Sequence, residues 1–292
     1  MIIGIDIGNH TVNTSTGNSF LAKISEVPDF EENSKVIIDG KDWYAEEGEF
    51  STDWNKADKS NLIELLYYAL AQEKGNMFKI VLGLPAGQYK VDKTRLEERI
   101  KANNFKRINY KGKTRDILIT DVIIAPEGAA AYYSLSEDHK KKIADKQLII
   151  VDIGGRTTDI ILFKDFKIKK VDTIEVGTLN IYQEAIKEIN KTYRTNFKLE
   201  DGERIIKNGL MINGEVKDIA FIQPILKRNF DSIYKSLQLF GNITDGYIML
   251  TGGGSLLLQK PFKNRLNNII MTDKPQWDNV NGFKVLGDNK YE

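Results

Sequence analysis

Short apolar runs alternate along the chain with longer stretches in which apolar residues recur every three or four positions. Runs of the first kind, bounded by Gly, Pro or Asp, predict buried strands at 79–85, 117–124 and 246–251. Stretches of the second kind predict helices, at 62–70, 93–102, 127–135, 178–193, 199–207 and 222–240. Strands that alternate with helices in this way indicate the α/β class.

Two segments carry the pattern of a β-hairpin. Residues 36–44 consist of an apolar run, an Asp-Gly turn and an aromatic run, and they predict part of a small β insertion at about 28–58. A second hairpin is predicted from 159–163 and 167–176. Aromatic residues of the insertion include Trp43, Tyr44, Phe50 and Trp54. We interpret them as the private core of this insertion, with a filament contact as the alternative.

The pattern Asp-Ile-Gly-x-x-Thr occurs twice, at 6–11 and at 152–157, each time at the end of an apolar run. The constant offset between the two copies indicates an internal duplication. Each copy delivers a carboxylate, Asp6 or Asp152, followed by a glycine turn whose backbone N–H groups can approach an anion closely. Two such turns facing each other would clamp nucleotide phosphates, and the carboxylates would hold a metal ion or its waters.

Composition narrows the class of protein. A chain of 292 residues predicts about two domains, and the polar stretch 136–146 is the predicted link. The net charge of +1, from 42 basic and 41 acidic residues, gives no global attraction to nucleic acid or membranes. The absence of cysteine excludes disulfides and thiolate metal sites. With no leader pattern and no run of the ~20 apolar residues needed for a membrane span, we expect a soluble, cytoplasmic protein.

Three motifs follow one another in a characteristic order: Asp6-Ile7-Gly8, residues 152–159 and Thr251-Gly252-Gly253-Gly254-Ser255. They resemble the phosphate-1, phosphate-2 and adenosine motifs of the actin-like ATPases. Residues 81–85 followed by Tyr89, and 125–132, make the chain similar to plasmid-segregation actins of the ParM/StbA type. The resemblance covers nearly the whole chain.

This resemblance implies the actin-like ATPase fold, in which two duplicated ribonuclease-H-like lobes enclose a nucleotide cleft. Lobe I is expected to span 1–145 and 273–292, including the β insertion. Lobe II is expected to span 146–272, with a helical insertion at about 178–220.

The resemblance also implies a site for ATP or GTP with Mg²⁺. Residues expected to contact the nucleotide are Gly8, Asn9, Thr11, Gly154, Gly155, Thr157, Thr158, Glu203, Arg204, Lys207, Gly252, Gly253 and Gly254. Asp6 and Asp152 are expected to hold Mg²⁺ through water, and Glu127 and Asp152 are the expected catalytic residues. Glu127 would position or deprotonate the attacking water, although a carboxylate at a helix start is also explained by the helix dipole. An i to i+4 salt pair on a solvated face explains 203–207 equally well.

The chain departs from the family at two positions. Family members often carry Ser or Thr directly after the first Asp-x-Gly and a Lys on the returning strand, whereas this chain has Asn9 and Asn13. The missing lysine removes one cation from the phosphate site. We therefore expect reduced affinity or turnover, compensated in part by His10 or Thr11.

The implied function is nucleotide-driven filament assembly that segregates plasmid or phage DNA. Subunits would associate head to tail with copies of themselves, and DNA would be reached through a DNA-binding adaptor of the ParR type rather than by direct contact. No membrane partner is expected. A small-molecule kinase or phosphohydrolase on the same core is the alternative, disfavoured because no second acid for an acceptor is evident. A chaperone is disfavoured by the short stretch after Gly254.

Overall fold

The computed structural model describes residues 1–28, 34–165 and 167–292, so the part of the predicted β insertion at 29–33 lies outside the described residues. Within the described part, the strands form a nine-stranded sheet, a five-stranded sheet and a separate hairpin. None of the helices described is both long and apolar enough to cross a bilayer.

The first sheet is built by residues up to 126. Its strands are β1 (Ile2–Ile7), β2 (Thr11–Thr14), β3 (Ser19–Leu21), β4 (Ile24–Ser25), β5 (Lys35–Ile38), β6 (Lys41–Ala45), β7 (Met77–Leu84), β8 (Phe105–Tyr110) and β9 (Lys113–Pro126), joined by helices α1 (Leu62–Ala71) and α2 (Ala86–Ala102). Their spatial order is β3-β2-β1-β7-β9-β8-β5-β6-β4. The three central strands, β1, β7 and β9, run parallel, and α1 buries nearly its whole length against this sheet.

The rest of the chain builds the second sheet and its helices. These elements are β10 (Leu148–Ile153), β11 (Thr158–Lys164), β12 (Lys167–Ile174), β13 (Leu210–Ile212), β14 (Glu215–Lys217), β15 (Tyr247–Thr251), β16 (Ile269–Ile270), α3 (Glu137–Ile143), α4 (Thr178–Tyr193), α5 (Asp201–Asn208), α6 (Gln223–Phe240), α7 (Gly254–Lys263) and α8 (Asp278–Tyr291). The sheet order is β12-β11-β10-β15-β16, while β13 and β14 form the separate hairpin. Helix α8 returns to the first sheet and packs on β1, β7 and residues 130–134.

The duplicated sequence pattern has a duplicated structure. In the first copy β1 pairs antiparallel with β2, and in the second β10 pairs with β11, so Asp6 faces Asn13 where Asp152 faces Asp159. The glycine turns close with the same backbone bond, from the N–H of Gly8 to the carbonyl of residue 11 (3.0 Å) and from Gly154 to residue 157 (2.9 Å). Each copy then places a parallel strand, β7 or β15, beside its first strand.

Most predicted elements are present, but three differ. The predicted helix at 127–135 is wrong: β9 continues to Pro126, a turn follows, and only a short 3-10 helix forms at Ala130–Ser134. Gly128 adopts a left-handed φ of 65°, which an α-helix cannot contain. Helix α2 begins at Ala86 rather than near 93, directly after Pro85. The predicted polar link contains α3, capped by Ser136, which accepts from the N–H of His139.

Candidate functional site

A cavity of about 600 Å³ lies between the two sheets, where both duplicated turns meet. The predicted site residues that line it are Asp6, Gly8, Asn9, Thr11, Glu127, Asp152, Gly154, Gly155, Thr157, Glu203, Gly252, Gly253 and Gly254. Parallel strands end at this edge in both sheets, because β1, β7, β10 and β15 all point their carboxyl ends toward the cavity. A crevice at the carboxyl ends of strands is the usual ligand site of α/β folds.

Three predicted nucleotide contacts lie outside the cavity wall. Thr158 is fully buried, and its hydroxyl donates to the carbonyl of Val176. Arg204 pairs with Asp201 at 2.9 Å, and Lys207 is exposed on α5. Only Glu203 of this helix reaches the cavity, because the amphipathic α5 turns its other polar residues to solvent.

The glycines at the cavity mark close approaches of backbone. A Cβ on Gly155 would lie 3.0 Å from the Cβ and the backbone nitrogen of His10, so the two duplicated turns touch at this point. Gly252 has a φ of 78°, and a Cβ there would lie 2.4 Å from Asp152 Oδ1. Gly252 therefore requires glycine for its local geometry, and its N–H donates to the carbonyl of Pro275 (3.1 Å), while Gly155 leaves little room for a side chain beside His10.

Two carboxylates in the cavity have strongly shifted acidity. Burial raises the pKa of Glu127 to about 8, and burial raises that of Asp152 to about 7. Asn279 at the start of α8 donates to Asp152 Oδ2 (2.8 Å) and accepts from the N–H of Gly128 (2.9 Å), so it ties the two segments together. Since no α-helix starts at residue 127, a helix dipole does not account for Glu127.

Two lysines that no sequence motif predicts also lie at the site. Lys56 forms ion pairs with Asp6, at 2.9 Å from Oδ1, and with Glu127. Burial alone would lower the pKa of Lys56, but these two carboxylates outweigh burial and raise it. Lys59 is 1% exposed and donates to the carbonyl of Gly8 at 2.8 Å, and burial lowers its pKa to about 7. Neither lysine belongs to a spacing motif, so only the fold reveals them.

One end of the cavity is aromatic. The ring of His10 lies 5.5 Å from that of Phe50 and 5.7 Å from that of Tyr182. Burial lowers the pKa of His10, against the pull of Glu203. The interpretation of the insertion aromatics as a private core is wrong for Phe50, which packs with Leu179, Ile181 and Tyr182 at the start of α4. It is also wrong for Trp54, which lines the cavity.

The carboxylates of the cavity suit a Mg²⁺ ion held through its waters better than one bound directly. Oxygen ligands from carboxylates suit Mg²⁺, and Asp6 and Asp152 both face the cavity. Across the described ranges, no three His, Cys, Asp or Glu side chains are close enough together to bind a metal ion directly. Mg²⁺ in proteins usually keeps several waters and is held by one or two carboxylates together with substrate phosphates.

Two family models match the chain. The model of the N-terminal domain of actin-like proteins matches residues 4–129, and that of the C-terminal domain of the archaeal MreB-like actin homologue matches residues 150–264. The chain belongs to the actin-like proteins. No curated protein is a significant sequence match.

Solved structures resemble this actin-like protein over its whole length. A non-polymerisable quadruple mutant of pCBH ParM has a TM-score of 0.83 at 21% identity, with 99% of each chain covered. Ta0583, an archaeal actin homolog in complex with ADP, has a TM-score of 0.81 at 17% identity, again with 99% of each chain covered. The Alp12 filament structure has a TM-score of 0.70 at 22% identity, covering 100% of this chain and 99% of that one. The actin-like fold predicted from the motifs, with its resemblance to ParM, is confirmed.

Proposed function

We propose that this chain is an ATPase, able to use ATP or GTP, whose nucleotide cycle drives assembly into filaments that segregate plasmid or phage DNA. One observation carries the proposal: the duplicated glycine turns meet at a single cavity that also holds Glu127 and Asp152. The ADP complex of Ta0583 and the filament of Alp12 support the same reading by similarity of fold.

The turns of Gly8 and of Gly154–Gly155 would hold the phosphates through backbone N–H groups. Gly252–Gly254 would lie against the α-phosphate and adenosine. Asp6 and Asp152 would hold Mg²⁺ through its waters, and the ion would supply charge neutralisation for the phosphates. Glu127 would orient the attacking water and take its proton. A general base works best with a pKa near the working pH, and the burial of Glu127 shifts its pKa in that direction.

The chain would divide into lobe I, 1–145 with 273–292, and lobe II, 146–272. Packing of α8 on β1 and β7 supports this division. Closure of two lobes on a nucleotide presents a different outer surface from the open form, and a head-to-tail contact that does not close into a ring grows a filament. Nucleotide state would therefore set filament stability.

We place the protein in the cytoplasm, with DNA attached through a ParR-type adaptor. The balanced charge supports this division of labour, since direct DNA binding requires a basic face that releases counterions. Filaments formed without the adaptor should not carry plasmid DNA into the pellet at about 150 mM salt.

The test is assembly and turnover of the purified chain. Light scattering and pelleting should rise on addition of ATP or GTP with Mg²⁺ and should reverse as phosphate is released. A non-hydrolysable analogue should give assembly without reversal, and EDTA should prevent both. Flat scattering combined with nucleotide use that depends on a small-molecule acceptor would replace the filament proposal with a kinase.

A further inference from the structure

Lys56 joins the two carboxylates that the proposed chemistry needs. Its Nζ lies 2.9 Å from Asp6 Oδ1 and also pairs with Glu127, and its side chain is 9% exposed. Among the described residues, it is the one lysine that lines the cavity. A buried ammonium between two carboxylates offsets the negative charge of both.

The backbone that carries Lys56 is held in place by α2. The N–H of Lys56 donates to Gln88 Oε1 (3.0 Å), and Arg99 donates to the carbonyl of Ala57 (2.8 Å). Asn55 caps the short turn by accepting from the N–H of Ala57 at 2.9 Å. With its backbone fixed, Lys56 can change partners only by swinging its four-carbon stem, which moves the ammonium within the cavity.

The cavity wall carries more negative than positive side chains. Seven carboxylates line the described wall, Asp6, Asp53, Glu127, Asp152, Asp159, Glu175 and Glu203, against two cations, Lys56 and Arg156. A triphosphate adds further negative charge to this site. Arg156 Nε is buried without a hydrogen-bond partner, which points to an anionic ligand on its side of the cavity.

We infer that Lys56 exchanges the carboxylate of Glu127 for the terminal phosphate of a bound nucleoside triphosphate. Glu127 is therefore released from Lys56 only when that phosphate is present. This inference rests on the proposed function of the same cavity. In the exchange no covalent bond forms or breaks: the ammonium moves from one anion to another, and Glu127 becomes free to hold water.

The exchange explains how the site can distinguish a triphosphate from a diphosphate. A buried ammonium keeps its carboxylate partner unless another anion replaces it. A terminal phosphate would supply that anion to Lys56 and leave Glu127 to hold water, whereas a diphosphate ends short of the position and leaves the Lys56–Glu127 pair intact. The lysine thereby supplies the phosphate cation that Asn13 does not.

Calorimetric titration with Mg²⁺-ADP and with a non-hydrolysable Mg²⁺-ATP analogue tests the inference on Lys56→Met. We expect about tenfold weaker binding of the triphosphate and a change of less than about twofold for ADP. Lys56→Arg, which keeps the charge, should retain most of the triphosphate preference. Lys90→Met on the exposed side of α2 is the matched control and should behave as wild type.

A double-mutant cycle with Glu127→Gln keeps the inference falsifiable if Lys56→Met folds poorly. Glu127→Gln alone should strengthen triphosphate binding about threefold or more, because the ammonium no longer has to leave the Glu127 carboxylate, and most of this gain should vanish in the double variant. Equal losses for both nucleotides, or additive effects in the cycle, would make Lys56 purely structural and overturn the inference. If wild type binds neither nucleotide, the proposed function itself fails. If wild type binds both nucleotides and Lys56→Met keeps the wild-type preference for the triphosphate, only the inference about Lys56 fails.

Discussion

Lys23 Nζ lies 3.2 Å from Glu200 Oε1, in an ion pair that joins the first sheet to the segment leading into α5. Lys23 is 5% exposed, and its ammonium also lies 5.5 Å from the centroid of the Phe50 ring. This pair spans the aromatic end of the cavity. It therefore links the two sides of the proposed nucleotide cleft beside Phe50.

Replacing Lys23 by Met should loosen that end of the cleft. An ion pair of this kind contributes about 1 kcal/mol to the free energy that holds the cleft closed. Its loss predicts about fivefold faster release of a fluorescent nucleotide, measured by stopped-flow displacement. Lys101→Met removes an exposed pair with Glu97 on α2 and serves as the control. Identical release rates for Lys23→Met and wild type would show that the pair contributes nothing to closure.

Glu127→Gln should separate assembly from hydrolysis. Glutamine fills the same space but cannot take a proton, so phosphate release should slow about 100-fold while nucleotide-dependent scattering still rises. Filaments should then persist after the scattering of wild type has fallen. Phosphate release at the wild-type rate would remove Glu127 from the chemistry.

Asp152→Asn should reduce the contribution of Mg²⁺ to nucleotide affinity. The amide can still face Asn279 but carries no charge for a hydrated cation, so the gain in nucleotide affinity on adding Mg²⁺ should fall about tenfold or more. Titration with and without EDTA measures this gain directly. The exposed Asp245→Asn is the control, and a full Mg²⁺ gain in Asp152→Asn would contradict the assignment.

Asp278, beside Asn279, gives the protein a pH dependence of stability. Burial raises its pKa from 3.8 to about 6, although the hydroxyls of Thr272 and Thr251, which donate hydrogen bonds to it, lower the pKa in part. The folded state therefore binds the proton more tightly than the unfolded state. The stability from this group is fully present below 3.8 and is lost as the pH rises through about 6.

Asp278→Asn should remove that part of the pH dependence. Between pH 5 and pH 7.5, the unfolding free energy of wild type should fall by about 1 kcal/mol more than that of the variant. Urea unfolding without nucleotide at the two pH values provides the measurement. Parallel curves for the two proteins would show that Asp278 does not titrate in this range.

The sequence predicted the parts of the site that are built from backbone. The repeated Asp-Ile-Gly turns and the three glycines after β15 were recognisable because turn geometry and close backbone approach restrict the residue types allowed. The equivalent positions of Asp6 and Asp152 at the ends of their strands then followed from the duplication. The lobe boundaries remain a prediction.

Glu127 and Glu203 were expected from the family resemblance, but side chains that reach the site from outside any motif were not predictable. Lys56 reaches the cavity from the turn before α1, and nothing in its neighbouring sequence distinguishes it from a surface lysine. The predicted helix at 127–135 failed for a similar reason. There α8 packs so closely that a Cβ on Gly282 would lie 1.9 Å from the carbonyl oxygen of Ala130, and this long-range contact overrides the helix propensity of the alanines.

The return of α8 to the first sheet also constrains how the chain becomes native during synthesis. Val280 and Phe283 are fully buried, and Phe283 lies against the positions of Gly4 and Gly83 on β1 and β7. These strands leave the ribosome first, yet the helix that covers them is made only after all of the second sheet. A nascent chain halted before residue 278 would present an apolar sheet face to solvent, where it is prone to association with other chains. The two halves of the molecule must therefore mature together rather than one after the other.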